Sequence, residues 1–326
     1  MVKRLLLSAV LFFFMSSSVI AQGRYAVAYG GFAGFQATIW AMKDLGLLDK
    51  HGLNADLVMI PGSARGLQAL LAGSVHFAQV DATAPISAAL KGGEVVIIGG
   101  SLNKIPFSMV TQPEIREPAQ LKGKKIGIIN FGGANELSII LALNEWNIPI
   151  QSVTLFPSGP AANRLVALSA KALDATVLSP PETIQAAKIG FRVMVHLSDL
   201  KASFPMNTIA VQRSFLENNR EVVKRFLRAH SEAIYQFMNE KKKALAVYQQ
   251  RLKQKDPDVI EETFSYYAPR FSFPPRVDRQ GLGLTADFVI DRVAKGKGTV
   301  DLRKVLDESI LDELTREGFF KEIAKR

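Results

Sequence analysis

The chain has 326 residues, a formal net charge of +10 and no cysteine. Without cysteine it can form neither disulfides nor thiolate metal sites, and a cysteine nucleophile is excluded. The length is sufficient for two domains with substantial apolar cores.

The N-terminal segment predicts where the protein works. The basic pair Lys3-Arg4 precedes an apolar run over residues 5–15 and a small, mostly polar stretch that ends at Ala21. This order is typical of a secretory signal peptide that is cleaved between Ala21 and Gln22. The apolar run is about half of the ~20 residues that a membrane-spanning helix needs. We therefore expect a signal peptide over residues 1–21 and a periplasmic protein, with an uncleaved anchor as the alternative.

Removing the signal peptide leaves a net charge of +8. Much of this basic excess lies in two segments of the C-terminal third, residues 220–228 and 241–243. Solvated helix faces explain these segments better than a nucleic-acid surface does, because an exported protein rarely meets nucleic acid. A basic field would also assist the capture of an anionic solute.

The mature chain alternates predicted strands and helices through short loops rich in glycine and proline, which indicates an α/β fold with a mostly parallel sheet. The first half has predicted strands at residues 24–29, 55–60, 75–80 and 95–98, and helices at 35–48, 65–72 and 85–91. The second half has predicted strands at residues 124–129, 152–156, 172–178 and 192–196, with a helix at 136–145. Residues 107–111 and 207–212 are predicted to be strands that connect the halves, and the chain after Phe215 is predicted to be helical.

Two segments of the chain repeat one another. Residues 67–98 align without a gap on residues 165–196, with identical residues at nine positions and apolar pairs at several others. An offset of 98 residues is too long for a solenoid unit and predicts two similar lobes with a cleft between them. We expect the first lobe to comprise residues 22–107 and 211–326, and the second to comprise residues 108–210. The helical tail should cover the first lobe and brace the hinge.

Four segments resemble motifs of the nitrate/sulfonate/taurine-type solute-binding proteins. Residues 44–56 resemble the family's "GL(F)xxxGLxV" opening, and residues 70–77 its "L-x-x-G-x-V-D-F" segment. Residues 121–128 resemble the "DLKGKKIGV" start of its second lobe, and residues 172–180 its "V-D-A-x-x-x-x-x-P". His76 departs from the family, which usually has aspartate there; we expect it to be a structural residue at a strand end.

The resemblance implies a two-lobed periplasmic binding protein of type II, with two crossover segments and a helical C-terminal extension. Such proteins bind a small solute and deliver it to the permease of an ABC transporter in the inner membrane. We expect a monomer with no cofactor, no metal and no nucleic-acid partner.

Ligands of open α/β sheets bind beyond the carboxyl ends of the strands. Several of the loops there begin helices, whose free backbone N–H groups favour an anionic group such as a sulfonate or carboxylate. The candidate ligand contacts in these loops are Tyr29, Gly31, Phe32, Ser63, Asp81, Thr83, Phe131, Asn135, Ser158, Ser179 and Glu182.

Structural roles compete with these assignments. Asp81 could cap a helix, and the phenylalanines could belong to the core. Arg65 and Arg164 occupy similar places in the repeat and could pair with a carboxylate or sulfonate, but surface exposure is the favoured explanation for both.

Other functions find less support in the sequence. Enzymes of thiamine-pyrimidine formation share this fold but use a cysteine-rich segment, which this chain lacks. The dinucleotide-like glycines of residues 281–286 lack the preceding strand that such a site requires. The four histidines show no metal-ligand spacing. Because these enzyme features are missing or incomplete, we expect a binding protein rather than an enzyme. A binding module that reports to a membrane sensor remains an alternative to one that serves an importer.

Overall fold

The structure is a computed structural model that describes residues 24–252 and 254–325. The predicted signal peptide lies outside these ranges. Within them, no helix is both long enough and apolar enough to cross a membrane.

Ten strands form two separate five-stranded sheets in the described part of the chain. The strands are β1 (Tyr25–Tyr29), β2 (Ala55–Met59), β3 (Phe77–Val80), β4 (Val95–Leu102), β5 (Ser108–Thr111), β6 (Lys125–Ile128), β7 (Thr154–Pro157), β8 (Ala175–Leu178), β9 (Arg192–His196) and β10 (Asn207–Gln212). The first sheet has the order β2-β1-β3-β10-β4 and the second β7-β6-β8-β5-β9. Two sheets with interleaved helices confirm the expected two-lobed α/β fold.

Each sheet contains one strand that is antiparallel to both of its neighbours, β10 in the first sheet and β5 in the second. Strands β1, β2 and β3 pair in parallel, whereas β10 runs antiparallel to β3 and β4. In the second sheet β5 is antiparallel to β8 and β9. The chain thus crosses between the sheets twice, after β4 and after β9. Because β10 pairs with the first sheet from Asn207 onward, the chain returns shortly before the boundary suggested at residue 210, and the division into domains stays a prediction.

Fifteen α-helices surround the sheets in the described ranges. They are α1 (Ala37–Asp44), α2 (Leu47–Lys50), α3 (Ser63–Leu71), α4 (Thr83–Leu90), α5 (Ala134–Glu145), α6 (Ala161–Ser169), α7 (Glu182–Lys188), α8 (Arg213–Asn218), α9 (Arg220–Asn239), α10 (Lys241–Arg251), α11 (Pro257–Tyr267), α12 (Arg279–Phe288), α13 (Leu302–Val305), α14 (Ser309–Arg316) and α15 (Phe319–Ala324). A π-helical turn, Val289–Val293, follows α12, and short 3-10 turns include Gly34–Gln36 and Ala268–Arg270.

The sequence repeat corresponds to a repeat of elements. Helix α6 lies 98 residues after α3 at both of its ends, and β8 lies 98 residues after β3. In α3, Leu67 and Leu70 are buried while Arg65 and Gln68 are exposed, so one face of the helix packs on the sheet. All four residues of β3 are buried, as expected for a strand covered on both faces.

The helical tail packs on the first sheet and reaches both crossover segments. Phe226 of α9 stacks on Phe77 of β3, with ring centroids 4.0 Å apart. The Tyr267 hydroxyl donates to the carbonyl oxygen of Pro106 in the outgoing crossover at 3.4 Å, and the Tyr266 hydroxyl donates to Ser198 Oγ in the returning one at 3.2 Å. The tail therefore packs on the first sheet and contacts both crossover segments, and its bracing of a hinge stays a prediction.

Candidate ligand-binding cleft

Loops at the carboxyl ends of the strands meet between the lobes. The backbone N–H of Gly34, after β1, donates to the carbonyl oxygen of Pro180, after β8, at 3.1 Å. A second strand-end loop, after β6, lies close to the C-terminal helical tail. A Cβ added to Gly132 in this loop would lie 3.4 Å from Cγ2 of Val293 in the tail. Strand-end loops of the two lobes therefore contact one another, and a ligand cleft between them, where ligands of open α/β sheets bind, stays a prediction.

Three candidate residues of the first lobe form one hydrogen-bonded cluster. The Ser63 hydroxyl donates to Asp81 Oδ2 at 2.5 Å, and the backbone N–H of Thr83 donates to Asp81 Oδ1 at 3.0 Å. The Thr83 hydroxyl also donates to Oδ1. Burial raises the pKa of the Asp81 carboxyl, and these donors act against that rise. The bond to Thr83 N holds the start of α4, so the cluster has a structural role, and contact of Asp81 with a ligand stays a prediction.

The aromatic candidates divide between the core and the surface. Tyr29 is only 6% exposed, and its ring packs edge-to-face on Trp40 with centroids 6.3 Å apart, so its ring belongs to the core. Phe32 and Phe131 are 38% and 55% exposed, and Gly31 beside Phe32 is half-buried. Exposed rings on both lobes offer apolar surface for the carbon skeleton of a ligand.

The candidates that follow β6 and β7 shape their loops. Asn135 is buried, and its Oδ1 accepts the backbone N–H of Ile129 at 3.3 Å. Ser158 donates its hydroxyl to the carbonyl oxygen of Phe156 at 3.1 Å and its N–H to that of Ile128 at 2.8 Å. These bonds fix the backbone of the two loops.

Beside the loop after β8 lie two charged side chains, Arg164 and Glu182, and the buried Ser179. Arg164 is 3% exposed, so the surface role favoured for it from sequence was wrong. Its Nε donates to the Gly159 carbonyl oxygen at 3.0 Å, and its Nη1 donates to Thr176 Oγ1 at 3.1 Å and to the Val177 carbonyl oxygen. Burial lowers the pKa of Arg164 to about 10 and raises the pKa of Glu182.

Sequence reasoning missed a glutamine pair beneath the first cleft loop. The side-chain amide of Gln79 donates to Gln36 Oε1, and both residues are buried. A Cβ on Gly30 would come within 3.2 Å of Gln36 Nε2, which places the pair directly under that loop. A polar residue inside the apolar strand β3 was a signal that could have identified Gln79. Gln36 carried no such signal, because it lies in a segment with a helical pattern.

No group of three or more histidine, aspartate or glutamate side chains in residues 24–252 and 254–325 could hold a metal ion.

The chain is similar both to curated proteins in sequence and to solved structures in fold. A candidate binding protein of Brucella abortus (strain 2308) is 29% identical over 183 residues, a match that covers 54% of this chain and 55% of that protein. The chain thus spans about half the length of the curated relatives it matches.

Solved structures match over more of the chain. The periplasmic aliphatic sulphonate binding protein SsuA of Escherichia coli superimposes with a TM-score of 0.74 at 20% identity, over 86% of this chain and 91% of that one. The alkanesulfonate-binding protein SsuA of Xanthomonas axonopodis pv. citri, bound to MOPS, gives a TM-score of 0.72 at 18% identity, over 87% and 98%.

At such identities the superpositions show the fold, which is that of periplasmic binding proteins. The sequence itself matches the NMT1/THI5-like family over residues 14–244, more than half of the chain. The protein therefore belongs to the NMT1/THI5-like family.

Proposed function

We propose that the protein is the solute-binding component of an ABC importer. It captures a small organic solute between its two lobes and delivers it to a permease in the inner membrane. The observation that carries the proposal is the meeting of strand-end loops from two similar lobes, in direct contact at Gly34 and Pro180. Structures of sulfonate-binding proteins with the same fold support it.

The cleft chemistry favours an organic anion as the ligand. Helices α3, α5 and α6 begin at the cleft loops, and the free N–H groups of a helix start favour negative charge. The exposed rings of Phe32 and Phe131 provide surface for a carbon skeleton. A sulfonate or carboxylate with an organic body fits both features.

The location and the mode of action follow from the same proposal. The segment 1–21 acts as a cleaved signal peptide, and the mature chain works as a monomer in the periplasm. It is a binding protein rather than an enzyme, in agreement with the names of its relatives. Ligand binding favours the closed arrangement of the lobes, because only that arrangement brings loops of both lobes onto the ligand.

A thermal-shift screen of sulfonates and carboxylates, followed by small-angle scattering, tests the proposal. A ligand at about one hundred times its Kd should stabilise the folded protein by about 2.7 kcal/mol, which appears as a rise in Tm of several degrees. The radius of gyration should fall on saturation as the lobes close. An unchanged radius at saturation would argue against closure.

A pair of surface variants provides the control. Phe131→Ala removes an exposed ring from the cleft and should weaken binding several-fold with little change in Tm of the free protein. Ile189→Ala removes a similarly exposed side chain (61%) at the far end of α7 and should leave binding unchanged. Equal effects of the two variants would contradict a ligand site at the cleft.

A further inference from the structure

A groove open to solvent separates α7 of the second lobe from α11 of the helical tail. Its volume is about 680 Å³, and the residues that line it include Ile184, Ala187, Val193, Glu262 and Tyr266. Pockets for small molecules have volumes of roughly 300–1,000 Å³ and occur preferentially between domains. The groove therefore provides a space that a small molecule can enter.

The groove is separate from the predicted ligand contacts. None of the candidate contacts named from the sequence lines it. Pro180, whose carbonyl oxygen accepts the N–H of Gly34, does line it. The groove thus begins at the contact between the lobes and continues between α7 and α11, away from the candidate residues.

The walls of the groove are largely apolar. Ile184 and Val193 are half-buried, and Ala187 is exposed. The rings of His196 and Tyr266 also line the groove, with their centroids 5.5 Å apart. Burial lowers the pKa of His196, so its ring is predominantly neutral at pH 7. Walls of this kind stabilise the alkyl or aromatic body of a ligand.

The charge beside these walls is negative. Among the described residues that line the groove, Lys188 carries the one permanent positive charge, and its Nζ donates to Asp256 Oδ2 at 2.6 Å. The pKa of Lys188 is raised by this hydrogen bond and further by the charges of Asp256, Glu262 and Asp258. The exposed carboxylate of Glu262 forms no ion pair with any residue of the described ranges. Glu262 therefore presents an uncompensated negative charge at the rim.

The sign of this charge decides which class of ligand fits. A sulfonate or carboxylate would be repelled by Glu262, whereas an ammonium group would pair with it. Arg270 lies over the Tyr266 ring, with Cζ 4.1 Å from the centroid, but it does not line the groove and its own charge is paired with Asp199 at 3.5 Å. The groove thus favours the opposite charge from the one expected in the cleft.

We propose that the groove between α7 and α11 is a second ligand site, which binds an amphipathic amine. The apolar body of the amine lies against Ile184, Val193 and Tyr266, and its ammonium group pairs with Glu262. This site does not depend on the proposed capture of an organic anion, because the two sites use different residues and opposite charges.

Isoleucine methyl NMR on the purified protein tests the site with three probes that share one carbon skeleton. The probes are phenethylamine, phenethyl alcohol and phenylacetate. The amine should shift the methyl resonance of Ile184 and leave nearly unchanged that of Ile189, which follows α7 and does not line the groove. It should bind about two- to fivefold more tightly than the alcohol, as expected for one exposed ion pair. Phenylacetate should not shift the Ile184 resonance.

Three variants separate the charge from the shape of the groove. Glu262→Gln keeps the side-chain length and should remove the preference for the amine over the alcohol. Glu261→Gln is the matched control, because it removes an exposed carboxylate of the same helix that pairs with Lys241 and does not line the groove. Ala187→Trp fills the groove from an exposed position and should abolish the Ile184 shift with both probes.

Amine binding that persists unchanged in Ala187→Trp would overturn the inference. The same holds for an Ile184 shift with phenylacetate as large as that with the amine, and for no Ile184 shift up to the solubility limit of the amine. Closure in small-angle scattering with an anionic ligand tests the solute-binding role separately, so either proposal can fail while the other stands.

Discussion

His76, the residue that departs from the solute-binding family, has a counterpart in the other lobe. It aligns with Asp174 in the repeat. Nδ1 of His76 accepts the backbone N–H of Ala26 at 3.1 Å, and Oδ2 of Asp174 accepts that of Lys125 at 2.8 Å. The histidine thus fixes β1 in the first sheet as the aspartate fixes β6 in the second. This geometry supports the structural role expected for His76.

Substitution of His76 should show this role in stability measurements. His76→Leu leaves the Ala26 N–H without its partner and should lower the free energy of unfolding by about 1–2 kcal/mol at pH 7. His76→Asp retains an acceptor and should stay close to wild type. Urea unfolding followed by circular dichroism measures both differences.

The pH dependence provides the second readout for this residue. Burial lowers the pKa of His76, and only the neutral ring can accept from Ala26. The stability that the neutral ring contributes should therefore be lost as the pH falls below the unfolded value of about 6.5. His76→Asp should lose less stability than wild type between pH 7 and pH 5. Identical losses in the two proteins would show that His76 does not act through this bond.

Among the elements, the alternation of strands and helices was predictable, but one helix was not. The sequence predicted a continuous helix over residues 35–48, whereas α1 ends at Asp44 and Gly46 adopts a left-handed conformation with φ of 68° before α2. The apolar pattern continues across this break because Leu47 and Leu48 return to the same core. Periodicity reports which side chains are buried, and it does not report a local reversal of the backbone.

Strand direction and side-chain burial were the least predictable features. The apolar sequence pattern of residues 207–212 predicted the bounds of β10 correctly. Its position between β3 and β4 and its antiparallel direction, however, depend on the path of the second crossover. Arg164 lies on a helix whose neighbouring residues are largely exposed, and its burial depends on Thr176 and on carbonyl groups that only the folded sheet brings near. Such long-range contacts leave no mark in the local sequence.

The π-helical turn after α12 links the tail to the second lobe. Arg292 in this turn donates from Nε at 3.2 Å and from Nη2 at 2.8 Å to Glu136 Oε1 at the start of α5. Glu136 is 1% exposed and its other oxygen accepts the backbone N–H of Gly132 at 2.6 Å. The turn therefore fastens the cleft loop of the second lobe to the helices that cover the first.

Removing this link should shift the lobes toward a more open arrangement. Arg292→Met deprives the buried Glu136 carboxylate of its cation and should cost about 1–2 kcal/mol of stability, less than a fully buried pair because Arg292 is 39% exposed. The radius of gyration of the ligand-free variant should increase. Arg303→Met, which removes a 90% exposed arginine paired with Asp301, should change neither quantity. A closed, fully stable Arg292→Met variant would show that this contact does not hold the lobes.

At the scale of the whole molecule, Gly34 joins three regions. Its N–H reaches Pro180 of the second lobe, its carbonyl oxygen accepts the Tyr248 hydroxyl of α10 at 2.7 Å, and it packs against α11. A Cβ at this position would lie 2.5 Å from Tyr267 Cε2 and 2.7 Å from Thr263 Cγ2. Any side chain here must displace α11 or the loop that contacts the second lobe.

Gly34→Ala should therefore affect stability and closure together. We expect a loss of about 1–3 kcal/mol from overpacking and a weaker fall in radius of gyration on ligand addition. Gly283→Ala is the matched control, because a Cβ on that residue of α12 meets no atom within 4 Å and alanine favours a helix. Scattering and thermal unfolding of both variants, with and without ligand, measure the difference. Normal closure by Gly34→Ala would rule out this contact as a determinant of the closed state.

The late position of β10 in the sequence has a consequence for how the chain is made. Strand β10 fills a place inside the first sheet, between β3 and β4, yet the ribosome adds it only after all nine other strands. Until then β3 and β4 have unpaired edges, and the N-terminal half cannot complete its sheet. Pairing of segments so distant in sequence makes folding slow. The first sheet can therefore be completed only after residue 212 has been synthesised, so its folding follows that of the chain segment that forms the second sheet.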